Sequence, residues 1–209
     1  PKNRWGYFPS IALGWVISEE KFLKGKTTWL DRLKLRASYG ILGSDDTDPY
    51  LYLQTYRVAS YPIVIGGQAQ SAYYTSGYVY DNLTWSKTNT WNAGVEMLMF
   101  RNRLSVEFDW FYKLTTRILE SEQGGSTYSP SLGGNNPIWM NSGSVDNRGF
   151  DMTIKWGDTF SNGWSYGLTG ILSWSRNRVL KKKISDNHPS YRAVLGQPIG
   201  TIYGFRALG

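Results

Sequence analysis

Arg103-Leu104-Ser105-Val106-Glu107-Phe108-Asp109-Trp110-Phe111-Tyr112-Lys113-Leu114 alternates without a break. Leu104, Val106, Phe108, Trp110, Tyr112 and Leu114 fall on one side of an extended chain, and Ser105, Glu107, Asp109, Phe111 and Lys113 on the other, because successive side chains of a strand point to opposite faces. A helix would scatter the same residues around its circumference, so the stretch is a half-buried strand. The segment before it repeats the pattern: Trp91, Ala93, Val95, Met97 and Met99 oppose Thr90, Asn92, Gly94, Glu96 and Leu98. Only Arg101 and Asn102 separate Phe100 from Arg103, a two-residue hairpin in which Asn supplies one of the positive φ angles of a type I′ turn. With Phe100 opposite Arg103, Glu96 faces Glu107 on the polar side. Two facing carboxylates repel, so a Lys or Arg from an adjacent strand, or from a segment outside this sequence, is expected beside them.

Working outward, the same period recurs. Ile11, Leu13, Trp15 and Ile17 alternate with small residues, and Leu33, Leu35, Ala37 and Tyr39 with Lys34, Arg36 and Ser38. Phe150, Met152, Ile154 and Trp156 oppose Asp151, Thr153 and Lys155. Trp164, Tyr166, Leu168, Leu172 and Trp174 oppose Ser165, Gly167, Thr169, Ser173 and Ser175, and a last strand is expected over Ile199, Thr201, Tyr203 and Phe205. The chain is therefore all-β and antiparallel, with about seven strands, many longer than the usual ~5–6 residues. The connections are unequal. The link from Gly157 to Gly163 is short and carries an Asn162-Gly163 turn signal, whereas Gly43 to Ser76, Ser121 to Asn141 and Val179 to Ser190 are long and rich in Gly, Ser, Asn, Asp and Pro. The uncharged run Val58 to Tyr80, broken by Pro62, Gly66, Gly67 and Gly77, reads as loop with short extended pieces.

Short turns at one end and long loops at the other, with one apolar face carrying aromatic residues towards the strand ends, are the design of an outer-membrane β-barrel. A soluble or surface β-sandwich that binds carbohydrate shares the alternation and stands as the alternative reading. Composition narrows the field further. The 209 residues hold 16% aromatic side chains, no Cys and a single His, His188, which removes thiolate and multi-histidine metal chemistry. No run reaches the roughly 18 apolar residues of a membrane helix. The formal net charge of +7 would suit a nucleic-acid partner, but apart from Arg176, Arg178, Lys181, Lys182 and Lys183 the basic residues are scattered, so none is expected.

Several stretches in order resemble the SusC/RagA family of TonB-dependent outer-membrane transporters. These are Arg4-Trp5-Gly6-Tyr7-Phe8-Pro9-Ser10 with Gly14-Trp15 and Glu19-Glu20-Lys21-Phe22, then Leu33-Lys34-Leu35-Arg36-Ala37-Ser38-Tyr39-Gly40, Leu83-Thr84-Trp85-Ser86-Lys87-Thr88 and Phe100-Arg101-Asn102-Arg103-Leu104. Asn141-Ser142-Gly143-Ser144-Val145-Asp146-Asn147-Arg148-Gly149 and Gly196-Gln197-Pro198-Ile199-Gly200 follow. The resemblance implies a large single-chain barrel closed by a plug, of which residues 1–209 are an internal part, with the plug and remaining strands elsewhere. It also implies a SusD-like surface lipoprotein as partner, energy from the TonB complex, contact with outer-membrane lipids and lipopolysaccharide, and uptake of glycans, oligosaccharides or peptides.

Candidate residues follow from this placement. Arg36, Glu96, Glu107, Asp109 and Lys155 are expected to face the lumen, and Asp45, Asp46, Tyr128 and Trp139 to lie in extracellular loops that meet substrate or partner. Glu107 and Asp109 lie about 6.6 Å apart at the strand rise, near the spacing of an inverting glycosidase, but lumen-facing carboxylates are the simpler reading. Asp45, Asp46 and Asp48 do not match the spacing of a calcium loop. No nucleophile motif accompanies the Ser, His and Asp residues; the reading is neither an enzyme nor a cofactor protein. The run Arg176, Arg178 and Lys181 to Lys183 sits on the long-loop side, either solvated or against lipopolysaccharide phosphates.

Overall fold

The computed structural model describes residues 3–45, 47, 50, 52–59, 63–75, 83–122, 138–183 and 194–204. Six long strands form one antiparallel sheet: β1 (Ser10–Val16), β2 (Leu30–Ser44), β7 (Ser86–Met99), β8 (Leu104–Glu122), β9 (Ile138–Thr159) and β10 (Ser165–Lys181), in the order β1-β2-β7-β8-β9-β10. Between β2 and β7 lie four three-residue strands, β3 (Tyr56–Val58), β4 (Ile63–Ile65), β5 (Gln68–Gln70) and β6 (Tyr73–Thr75). They form a β4-β5 hairpin nested inside a β3-β6 pair. Gly66 and Gly67 turn the inner hairpin at φ 61° and 78°, angles that an L side chain adopts at a cost. The expectation of loop with short extended pieces holds over these residues.

The deciding hairpin has the expected register. Met99 pairs with Leu104 and Glu96 with Glu107, and the turn residues Arg101 and Asn102 both have positive φ (61° and 63°), as does Phe100 (57°). The inequality of the ends also holds. Residues 100–103 and 160–164 join strands at one end, where a 3-10 turn (Ile17–Glu19) and the rest of the β1–β2 link also lie. In that link Lys24 Nζ bonds Glu19 Oε2 at 2.8 Å and holds the carboxyl below its ordinary range. Residues 45–85 and 123–137 join strands at the opposite end.

Two expectations are corrected. Among the described residues the main sheet has six strands rather than about seven, because residues 199–204 are irregular; Ile199 N donates to Asn177 Oδ1 and Thr201 Oγ1 to Pro198 O, so local polar bonds replace a ladder. Phe205 lies outside the described residues. The long loop expected to run to Asn141 ends earlier, with β9 beginning at Ile138 and β8 running on to Glu122. A bulge marks the extra length: register shifts around Arg117, whose φ of 58° is in the left-handed region that one class of bulge uses.

Registers carry one face across all six strands. Leu13, Ala37, Ala93, Trp110, Phe150 and Trp174 are successive cross-strand partners, as are Trp15, Leu35, Val95, Phe108, Met152 and Leu172. Among the described residues nothing is packed on this face: Leu13 is 69% exposed and Leu168 67%. Among the described residues Val179 is the one buried hydrophobic side chain. A single sheet with an uncovered apolar face is not a sandwich, whose inner faces would bury these rows against a second sheet, so the β-sandwich alternative is overturned. From Leu104 to Tyr112 the outward row on β8 covers nine residues, within the ~9–11 that a tilted membrane-spanning strand needs.

Aromatic rings bound this belt at both ends. At the short-turn end Phe100 meets Trp156 (6.4 Å between centroids), Phe160 stacks on Tyr166 (5.3 Å), and Trp156 Nε1 donates to Tyr166 Oη at 3.1 Å. At the long-loop end Tyr39, Trp91 and Tyr112 sit side by side, with centroids 5.2 and 5.5 Å apart. Rings with an apolar body and a polar edge suit the two membrane–water interfaces.

Candidate functional site: a charged patch on the inner wall

The opposite face is polar, and its charges converge. Cross-strand pairing sets Lys34, Glu96, Glu107 and Thr153 in one row and Arg36, Gly94, Asp109, Asp151 and Ser173 in the next. Lys34 Nζ lies 3.4 Å from Glu96 Oε1, and Arg36 Nε lies 3.1 Å from the same oxygen. Arg36 Nη2 donates to Asp109 Oδ2 at 2.8 Å. Arg36 stands on β2 and Asp109 on β8, so the guanidinium crosses the whole width of β7 to make that bond. It does so over Gly94: a Cβ there would lie 2.4 Å from Asp109 Oδ1 and 3.2 Å from Arg36 Nε and Nη2. The absence of a side chain at residue 94 is what opens the bridge.

The expected cation beside the facing glutamates is thus two cations, both from β2 and both on the Glu96 side. Glu107 makes no ion pair among the described residues. Lys155 is on the same face, one row further towards the short turns, opposite Ser105 and Thr169, and it is exposed and joined to none of the others. Of the five lumen candidates the structure therefore unites Arg36, Glu96 and Asp109, adds Lys34 to them, and leaves Glu107 and Lys155 flanking. The patch holds no group of three or more potential metal ligands among the described residues, and Asp109, tied to Arg36, is arranged as one half of an ion pair.

The loop candidates fare unequally. Asp45 directly follows β2 at the long-loop end and is exposed. Asp46 and Tyr128 lie outside the described residues, as does His188. Trp139 is not in a loop: it is the second residue of β9, opposite Ser121. The small polar run Asn141 to Gly149 hides this strand from a search for apolar alternation, since the side chains it buries, Ser144 and Asp146, are polar while its ladder pairs with β8 and β10.

That same run contains functional geometry that sequence reading missed. Asn141 Nδ2 donates to Thr84 O (2.8 Å) and Arg117 O (2.9 Å), and its Oδ1 accepts from Thr84 N (2.9 Å), so one side chain imitates a strand's backbone and ties β9 to the segment leading into β7. There Trp85 meets Phe8 edge-on at 5.6 Å and its Nε1 donates to Asn3 O at 3.2 Å. Asp146, 1% exposed, is held by two bonds from Arg178 (Nε to Oδ1 3.2 Å; Nη2 to Oδ2) at 2.6 Å for the shorter. Arg178 belongs to the basic run, so one member of that run is already paired.

An antiparallel sheet with short turns at one end, long connections at the other and an apolar belt between two aromatic rims defines the wall of an outer-membrane barrel. β1 and β10 leave open edges among the described residues, and such edges close only in a larger barrel. Comparison with known proteins gives the family. Residues 1–207 match the family described as "TonB dependent receptor-like, beta-barrel", and the chain belongs to it, as a part of an outer-membrane β-barrel.

Among relatives, 90% of the chain is 32% identical to TonB-dependent receptor SusC of Bacteroides thetaiotaomicron, and all of it is 30% identical to TonB-dependent receptor P39 of Formosa agariphila. The chain spans 18% and 19% of their lengths. In fold it is similar to the RagAB peptide transporter, with a TM-score of 0.71 and 24% identity over 94% of the chain and 21% of that structure.

Proposed function

We infer that the protein is an outer-membrane nutrient importer of the SusC type, energised by TonB, and that it takes up oligosaccharides or peptides together with a SusD-like surface lipoprotein. Residues 1–209 then supply one part of the barrel domain, with the plug and the remaining strands in the rest of the full-length protein. The observation that carries this reading is the uncovered apolar belt between two aromatic rims in a chain of the TonB-dependent receptor family. Short turns face the periplasm and long connections the outside, as the general design of such barrels requires. The segment's work is structural: outward rows hold the wall in lipid, closure of the barrel satisfies the backbone, and the long links frame the entrance. The inner patch of Lys34, Arg36, Glu96 and Asp109 faces the lumen, where it lines the space that plug and substrate share.

The test uses the full-length protein in its host. Growth on each candidate oligosaccharide or peptide pool is compared between the wild type, a strain lacking this receptor and a strain lacking TonB. Loss of uptake of one pool in both mutants is the expected result, with the receptor recovered from the detergent-soluble outer membrane together with a lipoprotein. Unchanged uptake of every pool without the receptor would overturn the reading.

A further inference from the structure

On the outward face, β9 and β10 end their apolar rows at Phe150 and Trp174, which stack at 6.2 Å. The next residues on that face towards the long-loop end are Arg148 and Arg176, and they are cross-strand partners of each other. On its other side Arg148 is the partner of Tyr112, the last ring of the Tyr39, Trp91 and Tyr112 rim. Both arginines are exposed, and among the described residues neither has an ion-pair partner. The nearest carboxylate on this face, Asp146, lies within electrostatic reach of Arg148 but is bonded by Arg178, through two bonds, and Lys113 is turned to the inner face, over the ring of Phe111 at 5.2 Å. Two like charges directly opposite each other destabilise a sheet unless an anion lies between them.

Position identifies the anion. A pair of guanidinium forks one residue pair beyond a stacked Phe–Trp floor sits where hydrocarbon gives way to headgroups, and guanidinium suits phosphate oxygens in a bidentate way. Tyr112 adds a hydroxyl beside them. We propose that Arg148 and Arg176, with Tyr112, form a binding site for the phosphate of a phosphorylated glycolipid of the outer leaflet, lipopolysaccharide, whose acyl chains lie on Phe150, Trp174, Met152 and Leu172. The choice of leaflet rests on the orientation given under the proposed function: the long-loop end is outside, and there the phosphate-bearing lipid is lipopolysaccharide rather than a phosphoglyceride. This separates Arg176 of the basic run from Arg178, which is committed to Asp146.

The experiment uses full-length receptor purified in detergent from the outer membrane, with the probes purified lipopolysaccharide, the same material after enzymatic dephosphorylation, and phosphatidylglycerol. Lipopolysaccharide retained per receptor is measured for the wild type, the double variant Arg148→Gln/Arg176→Gln, the charge-keeping Arg148→Lys/Arg176→Lys and the short-turn control Arg101→Gln. Heat-modifiable mobility on gels reports folding of each. Each arginine near a charged membrane surface is expected to contribute about fivefold in affinity, so the Gln double variant should bind roughly 25-fold more weakly, with the Lys variant intermediate and Arg101→Gln unchanged. Dephosphorylated lipopolysaccharide should fail to compete. Equal retention by wild type and the folded Gln variant would overturn the site, and displacement by phosphatidylglycerol as effective as by lipopolysaccharide would overturn the assignment of its occupant. A receptor that fractionates away from the outer membrane would instead overturn the importer reading, a separate outcome.

Discussion

Val95 and Glu96 are neighbours in β7 and live in different solvents. Val95 belongs to a row that passes from Trp15 to Leu172 with no polar member and no covering layer, while Glu96 meets Lys34 and Arg36 from the adjoining strand. The outward face asks only for apolar surface of any shape, since lipid chains adapt to it. The inner face asks for particular partners at particular distances. Each strand therefore carries two kinds of information at alternate residues, and they should respond differently to mutation.

The largest separation is expected at the middle of the belt. In the full-length receptor, Met152→Arg places a charge among lipid tails and should destabilise by about 2–4 kcal/mol, whereas Thr153→Arg, one residue on and on the polar face, should stay within about 0.5 kcal/mol. The midpoint of heat-modifiable mobility in lipid vesicles reads both. If the two variants melt alike, the assignment of faces is wrong.

Asp146→Asn comes next. It leaves the Arg178 fork with one charged acceptor fewer at a carboxylate 1% exposed, and a loss of about 1.5–3 kcal/mol is expected. Denaturant titration of the same receptor measures it. A change near zero would mean that Arg178 finds another anion and that the pair is dispensable.

Gly94→Ala sharpens the comparison within the inner face. The new methyl carbon would stand 2.4 Å from Asp109 Oδ1, so the crossing of Arg36 to Asp109 has to break or bend, at about 1 kcal/mol. In the background of Asp109→Ala the same substitution should cost less, with a coupling of at least about 0.5 kcal/mol in the double-mutant cycle. Strict additivity would show that the glycine serves something other than this bridge.

How much of this was legible in the sequence depends on which of the two faces supplied the signal. Leu104 to Tyr112 and Phe150 to Trp156 announced their strands because outward rows must be apolar at every second residue. The facing of Glu96 and Glu107 followed from hairpin register alone, and with it the need for a cation. The reach of Arg36 over Gly94 did not, because it depends on three strands in register and on a missing side chain in the middle one. The start of β9 was hidden for the opposite reason: beyond the belt, Asn141 to Gly149 carry small and polar side chains on both faces, held by backbone pairing, the Asn141 amide and the Asp146–Arg178 ion pair, so no apolar period marks the strand. Ile199 to Tyr203 erred the other way, alternating without forming a strand, since alternation states what a strand would bury and not whether a neighbour is present to pair with it.

The smallest effect is expected at Glu107, and its smallness is informative. Glu107 lies opposite Glu96 and two residues from Asp109, yet Lys34 stops at Glu96 and Arg36 passes over β7 to Asp109, so neither cation pairs with it. Removing its charge by Glu107→Gln relieves repulsion and breaks no ion pair, so stability should change by less than about 0.5 kcal/mol, in the direction of a gain. Glu96→Gln, by contrast, strips both Lys34 and Arg36 of a partner and should be measurably worse in the same melt. If Glu107→Gln proves the more damaging of the two, then a cation from outside the described residues is held there in the complete receptor, and the polar face is not specified by these strands alone.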